Sequence, residues 1–239
     1  MIAIIMGSVA FIYAAVGHGG ASGYLAIMAL FSFSPDVLRS SALVLNVVVS
    51  AISFYHFHRH KHFELKLFLP FIIGSIPLSF VGASISLENH IYKIVLGICL
   101  LLAVLRLLGV FGKENPIIRS LPFGLGVLIG GIIGFISGLI GIGGGIVLSP
   151  IILIFGWGNI KTTAAISALF IFCNSISGLL GLYLFNNFNP LPQLYLFIIT
   201  VALGGFLGAY FANTKFSIVG LKRLLATILI LASLKLIFI

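Results

Sequence analysis

The chain has 239 residues, of which 61% are hydrophobic and 7% are charged, and its mean hydropathy is +1.29. A water-soluble domain of this length carries far more charge, so the composition excludes a soluble globular fold and points to a polytopic membrane protein. The net charge of +9 comes from 13 Lys and Arg against four Asp and Glu, and the basic residues fall in short loops between apolar runs. That placement belongs to membrane topology and leaflet electrostatics, and it excludes nucleic acid as a partner.

An apolar run of about 18 residues or more spans a bilayer as a helix. Residues 2–16 are apolar and are followed by the run Gly17-His18-Gly19-Gly20-Ala21, then by a short apolar arm at 23–33. The first residues carry no basic leader and no cleavage site, so they read as part of the first membrane segment. A span is predicted at 38–55. After it comes His56-Phe57-His58-Arg59-His60-Lys61-His62, read as a solvated juxtamembrane loop; Arg59 and Lys61 would repel a metal ion, so no metal site is expected. Spans follow at 66–86 and 91–110. Residues 112–120 form a polar linker that carries Lys113, Glu114, Pro116 and Arg119. The second half opens with apolar residues 121–140, the run Gly141-Ile142-Gly143-Gly144-Gly145 and a short arm at 146–156. Spans at 163–185, 193–212 and 218–238 complete it, with an uncharged turn at 186–192. Cys99 and Cys173 lie inside apolar runs, without ligand spacing, and read as packing residues.

The two halves repeat. The glycine runs correspond, as do Ser41-Ala42-Leu43 and Ser167-Ala168-Leu169. Asn46 pairs with Asn174 after a two-residue slip, and Phe80-Val81-Gly82-Ala83 pairs with Phe206-Leu207-Gly208-Ala209. Basic loops at 56–66, 112–119 and 213–223 mark the cytoplasmic side, and the uncharged turn at 186–192 marks the outside. Parity then requires each glycine run to be the tip of a returning hairpin, one entering from each side. The expected fold is an all-α polytopic membrane protein with two inverted-topology repeats, 1–111 and 121–239. Each repeat is a glycine-broken helical hairpin plus three transmembrane helices.

The glycine runs are the first candidates for chemistry. A helix that starts after such a break presents free N–H groups and partial positive charge, and glycine lets a ligand approach them. Two such ends meeting at the membrane midplane make a site for an anion. The candidate substrate-binding residues are therefore Gly17, His18, Gly19, Gly20 and Ser22 in the first run, and Gly141, Gly143, Gly144 and Gly145 in the second. Ser41, Asn46, Ser167 and Asn174 are polar positions inside spans. His18 alone is ionisable in mid-membrane and is the candidate for proton coupling or substrate orientation. Arg39 and Lys161 open the spans after the hairpins and are candidates for an anion vestibule. Gly20-Ala21-Ser22-Gly23 matches the GxSG of rhomboid intramembrane proteases, but no later span supplies a mid-membrane histidine as base. There is no ATP-binding signature, and neither enzymatic activity nor a cofactor is expected.

The stretches VGHGGASGYLAIMAL and IGIGGGIVLSPIILIFG, with the flanks Arg39 to Asn46, Lys161 to Asn174 and GSIPLSFVGA at 74–83, resemble the sulfite exporter TauE/SafE family. The resemblance covers nearly the whole chain. It implies a multi-pass transporter of small, often sulfur-containing anions such as sulfite or sulfoacetate in the bacterial cytoplasmic membrane. The first run has Ala21 where the family has a third glycine, so the two half-sites are not equal. An uncoupled channel or uniporter, an intramembrane protease using Ser22, and a membrane scaffold are the alternatives.

Overall fold

A computed structural model describes residues 2–15, 19–109, 118–211 and 219–238. Among these residues the fold is all-helical. The first half gives α1 (Ile2–Ala15), α2 (Ala21–Leu30), α3 (Pro35–Arg59), α4 (Leu65–Ser84) and α5 (Asn89–Leu107). The second gives α6 (Phe123–Ile140), α7 (Gly145–Ile154), α8 (Ile160–Leu184), α9 (Leu194–Phe211) and α10 (Val219–Phe238). Six of them, α3 to α6, α8 and α9, are long and apolar enough to cross a membrane, while α1, α2 and α7 are shorter apolar helices. Most of the polar linker, residues 112–117, lies outside the described residues.

Local chemistry sets the helix starts. Pro35 opens α3 with its φ already helical and its missing N–H harmless, and Asp36 meets the positive end of the helix dipole. Asn159 caps α8 by accepting a hydrogen bond from the Thr162 N–H at 2.8 Å. The boundary that differs most from the sequence reading is the end of α3. The helix α3 continues through Arg59, so His56 and His58 lie in its last turns and not in a loop. Helical side-chain packing accounts for the extension: Phe57 joins Ala164 and Ala165 of α8 in a small apolar cluster. Beyond the helix end, His62 is held below the usual imidazole range by desolvation and by the nearby Lys161 and His60. Among the described residues no group of three metal-ligating side chains comes together.

The helices pack through small residues, as they must where lipid supplies no hydrophobic drive between them. A Cβ on Gly130, Gly134 or Gly138 of α6 would collide with the carbonyls of Phe71, Ser75 and Ser79 of α4, respectively. The numbers rise together on both helices, so α4 and α6 run parallel. Likewise a Cβ on Gly204 or Gly208 of α9 would strike the carbonyls of Gly7 and Phe11 of α1, so α1 and α9 also run parallel. By contrast α3 and α8, both 25 residues long, are antiparallel: Leu43 lies by Gly178, and Phe57 by Ala164 and Ala165. The helix that follows each glycine turn leans on elements of both halves, α2 on α10 and α3, and α7 on α8 and α5.

Burial is inverted relative to a soluble protein. Leu128, Leu203 and Phe206 are each more than half exposed, while Ser41, Asn46, Ser167, Asn174 and Arg39 are buried. Outward apolar side chains on a protein of this composition are lipid contacts.

The α4–α6 seam gives a direct test. Gly138→Val places a branched side chain against main chain that cannot move aside, with an expected loss of at least about 2 kcal/mol and a visibly lower Tm in detergent. Gly124→Ala on the same helix, where nothing lies within 4 Å of the added atom, should leave the Tm in place.

Candidate functional site

The two glycine turns meet. Gly20 (φ 91°) and Gly144 (φ 79°) occupy the residue before α2 and α7, in the left-handed region that glycine adopts without strain. The chain doubles back at both. A Cβ on Gly23 would touch Val9 and Tyr13 of α1, and one on Gly144 would touch Ile133 and Ser137 of α6.

Both turns then back onto the same pair of side chains. A Cβ on Gly19 would lie 2.8 Å from Asn46 Oδ1 and 2.9 Å from Ile171 Cγ2. A Cβ on Gly143 would lie 2.7 Å from Asn46 Nδ2 and 2.8 Å from that same Ile171 methyl. Only glycine permits this approach, and it brings the two backbones within a side chain's width of one another. Asn46 sits between them, its Nδ2 donating to the Ile142 carbonyl at 3.2 Å and its Oδ1 buried without a partner.

The geometry adds Ile171 to the residues around the turns. Asn46 is the twelfth residue of α3, and the twelfth residue of α8 is Ile171. The element that faces both turns is therefore Asn46 with Ile171, one polar and one apolar. Asn174 is buried one turn further along α8, where its Nδ2 donates to the Phe170 carbonyl of its own helix at 2.8 Å and its Oδ1 has no partner.

The other candidates separate into groups. Ser22 is buried and hydrogen-bonded to the Tyr13 hydroxyl, so its described neighbour is a phenol and not an imidazole. The Ser41 hydroxyl accepts from the Leu191 N–H at 3.0 Å and ties α3 to the turn before α9, away from the glycine turns. Ser167 pairs with Ser149 at 2.7 Å behind Gly145. Gly141 (φ 84°) ends α6, and its added Cβ would touch the Arg39 backbone. Gly17 and His18 lie outside the described residues. Lys161 is exposed at the start of α8.

Arg39 is not an open vestibule residue. It is 1% exposed, and its guanidinium donates to the carbonyls of Ala83 (2.7 Å), Ile85 (3.1 Å) and Gly138 (3.4 Å), at the C-terminal ends of α4 and α6. Helix C-termini carry partial negative charge and unpaired carbonyls, which is why a cation comes to rest there. Tyr92 of α5 does a similar service, donating to the Ile140 carbonyl at 3.1 Å.

Three polar residues that sequence reasoning passed over line the turns. Tyr24 Oη lies 2.7 Å from where a Gly20 Cβ would stand, Ser175 Oγ lies 3.2 Å from that of Gly143, and Ser137 adjoins Gly144. All three hydroxyls are buried and lack a partner among the described residues. The available signal was position: Tyr24 follows Gly20 by one helical turn, and Ser137 precedes Gly141 by one. Serine and tyrosine are common enough in membrane helices that position alone did not mark them.

The electrostatics of the site are one-sided. Carbonyl ends near it are met by Arg39, Tyr92 and Asn46. Among the described residues, α2 and α7 both start from a glycine N-cap, which has no side chain to accept from their first N–H groups. Among the described residues, hydroxyls and helix N-termini gather at the turns, and no carboxylate is in contact with the turn glycines.

A buried hydroxyl without a partner contributes nothing to folding. Ser137→Ala with Ser175→Ala should therefore hold or raise the Tm while weakening ligand binding several-fold. Arg39→Met strands three carbonyls and should cost about 3 kcal/mol. Thermal unfolding of the purified variants distinguishes the two cases.

The Sulfite exporter TauE/SafE family matches residues 2–236 of the chain. A probable membrane transporter protein, y4hK of Sinorhizobium fredii, is 35% identical over 235 residues, covering 96% of this chain and 94% of its own. A second, YunE of Bacillus subtilis, is 26% identical over 226 residues, covering 86% and 82%. No solved structure matches.

Proposed function

The chain belongs to the TauE/SafE sulfite exporter family, and from that premise we propose that it is a secondary transporter of a small anion, with sulfite or an organosulfonate as the best single substrate class. It is a multi-pass membrane protein of transporter type. The observation that carries the finer reading is the meeting of the two glycine turns on Asn46 and Ile171. Two helix N-termini without side-chain caps, close together in an apolar setting, favour negative charge through N–H groups and dipoles alone.

In this reading the N–H groups at Gly19, Gly20, Gly143, Gly144 and Gly145 bind the oxyanion. Asn46 stands between the turns as the side chain that senses both, and Tyr24, Ser137 and Ser175 add hydroxyl donors. Asn174 lies one turn beyond. His18 orients the substrate or carries a proton. A tetrahedral sulfur oxyanion suits such a ring of neutral donors because several oxygens can each take one hydrogen bond.

The antiparallel course of α3 and α8 supports an inverted relation between residues 1–111 and 121–239, as do the matching parallel pairs α4–α6 and α1–α9. Alternating access then follows as a rocking of helix groups about the fixed turns. The chemistry calls for no ATP and no cofactor.

The reading is tested in proteoliposomes with sulfite, sulfoacetate, acetate and chloride. Asn46→Leu keeps the side-chain volume and removes the amide, and it should cut flux of the preferred anion by tenfold or more with the protein still monodisperse. Gly144→Val should abolish flux. Wild-type rates in both variants would remove the glycine turns as the site. A rate indifferent to an imposed pH gradient would replace the proton-coupled transporter by a uniporter.

A further inference from the structure

We infer that a cavity of about 300 Å3, walled by the α2–α3 turn, the start of α5 and the end of α10, is an anion-collecting vestibule whose floor, Tyr92 backed by Arg39, closes the way to the second glycine turn. Ser32, Ser34, Asn89, Tyr92, Lys93 and Lys235 supply its polar lining. The inference rests on the anion-transport reading for its purpose, though not for its electrostatics.

Two lysines face one small cavity. Lys235 is fixed in place: its ammonium donates to the carbonyls of Leu30 (2.7 Å) and Ala29 (3.3 Å) and to Ser32 Oγ (2.9 Å), at the C-terminal end of α2. Lys93 donates no hydrogen bond among the described residues and is half-buried at the rim. The acids nearest in sequence, Asp36 and Glu88, are exposed at the starts of α3 and α5, and neither lines the cavity. The charged side chains that line the cavity are thus both basic, although Asp36 acts on Tyr92 from outside the lining, and hydroxyl and amide groups stand ready to share the oxygens of a small anion.

The floor joins this cavity to the glycine site. Tyr92 lines the cavity, is 1% exposed, and bonds through its hydroxyl to the carbonyl of Ile140, the residue before Gly141. Leu38 also lines the cavity, and the next residue, Arg39, lies against Gly141 with its Nε buried and unpartnered. The Tyr92 phenol and the main chain of Arg39 thus stand between the cavity and Gly141. An anion that displaces Tyr92 from Ile140 gains access to the end of α6 and the turn that follows it.

The test uses a variant with Cys99 and Cys173 replaced by Ala and a single cysteine at Ser34→Cys. Its modification rates by a negatively and a positively charged methanethiosulfonate reagent are compared. The anionic reagent should react faster, sulfate should slow it, and Lys93→Gln should lower the anionic-to-cationic ratio by about threefold to fivefold at low ionic strength. A ratio that Lys93→Gln does not move overturns the vestibule. With sulfite flux as a second readout, Lys93→Gln should raise KM more than it lowers kcat, with the difference fading in high salt. If the ratio falls but none of the tested anions is carried, the vestibule stands and the transport reading fails. For the floor, Ile140→Cys should react slowly behind Tyr92 and at least tenfold faster with Tyr92→Ala; equal rates remove the gate.

Discussion

An interrupted helix in an apolar layer leaves carbonyls at one broken end and N–H groups at the next, with no water to take either. Most of the site follows from how this chain meets that demand. The carbonyl ends receive built-in donors: Arg39 for Ala83, Ile85 and Gly138, Tyr92 for Ile140, Asn46 for Ile142, and Lys235 for Ala29 and Leu30. Among the described residues, the N-caps of α2 and α7 are glycines and offer no side-chain acceptor. A chain with 13 basic and four acidic residues is well supplied to neutralise carbonyls and poorly supplied to neutralise N–H groups.

Close packing makes this asymmetry possible. Glycine at 19 and 143 admits Asn46 and Ile171 to the backbone, and glycine along α6 and α9 lets α4 and α1 settle carbonyl against Cα. The same residue type therefore performs two tasks. In the long helices it removes side chains so that helices touch. In the turns it permits a left-handed backbone. The lipid-facing surface needs neither and is built of leucine, isoleucine and phenylalanine.

Much of this was legible beforehand. Hydropathy alone placed all ten helices, because an apolar run bounded by glycine or charge has few other ways to lie in a bilayer. Family resemblance and the doubled glycine run pointed to the same class. What escaped was side-chain direction. Arg39 read as a surface attractor because arginine is rarely buried, yet two helix C-termini make a place for it. Ile171 was passed over because it is apolar, although with Asn46 it faces both turns. His56 and His58 read as loop because they are polar, although α3 carries them onward through the packing of Phe57. The contributions of Tyr24, Tyr92, Ser137 and Ser175 depend on contacts across helices that no local pattern records.

The parallel pairs α4–α6 and α1–α9 carry one more consequence. Each half lays its fourth helix against the broken helix of the other, so the halves are interlaced and not merely adjacent. A five-helix half made alone would have no interior of its own for these glycine faces. A cut in the linker would therefore not part the chain into two self-sufficient pieces, because α6 and α9 bury their glycines only against α4 and α1.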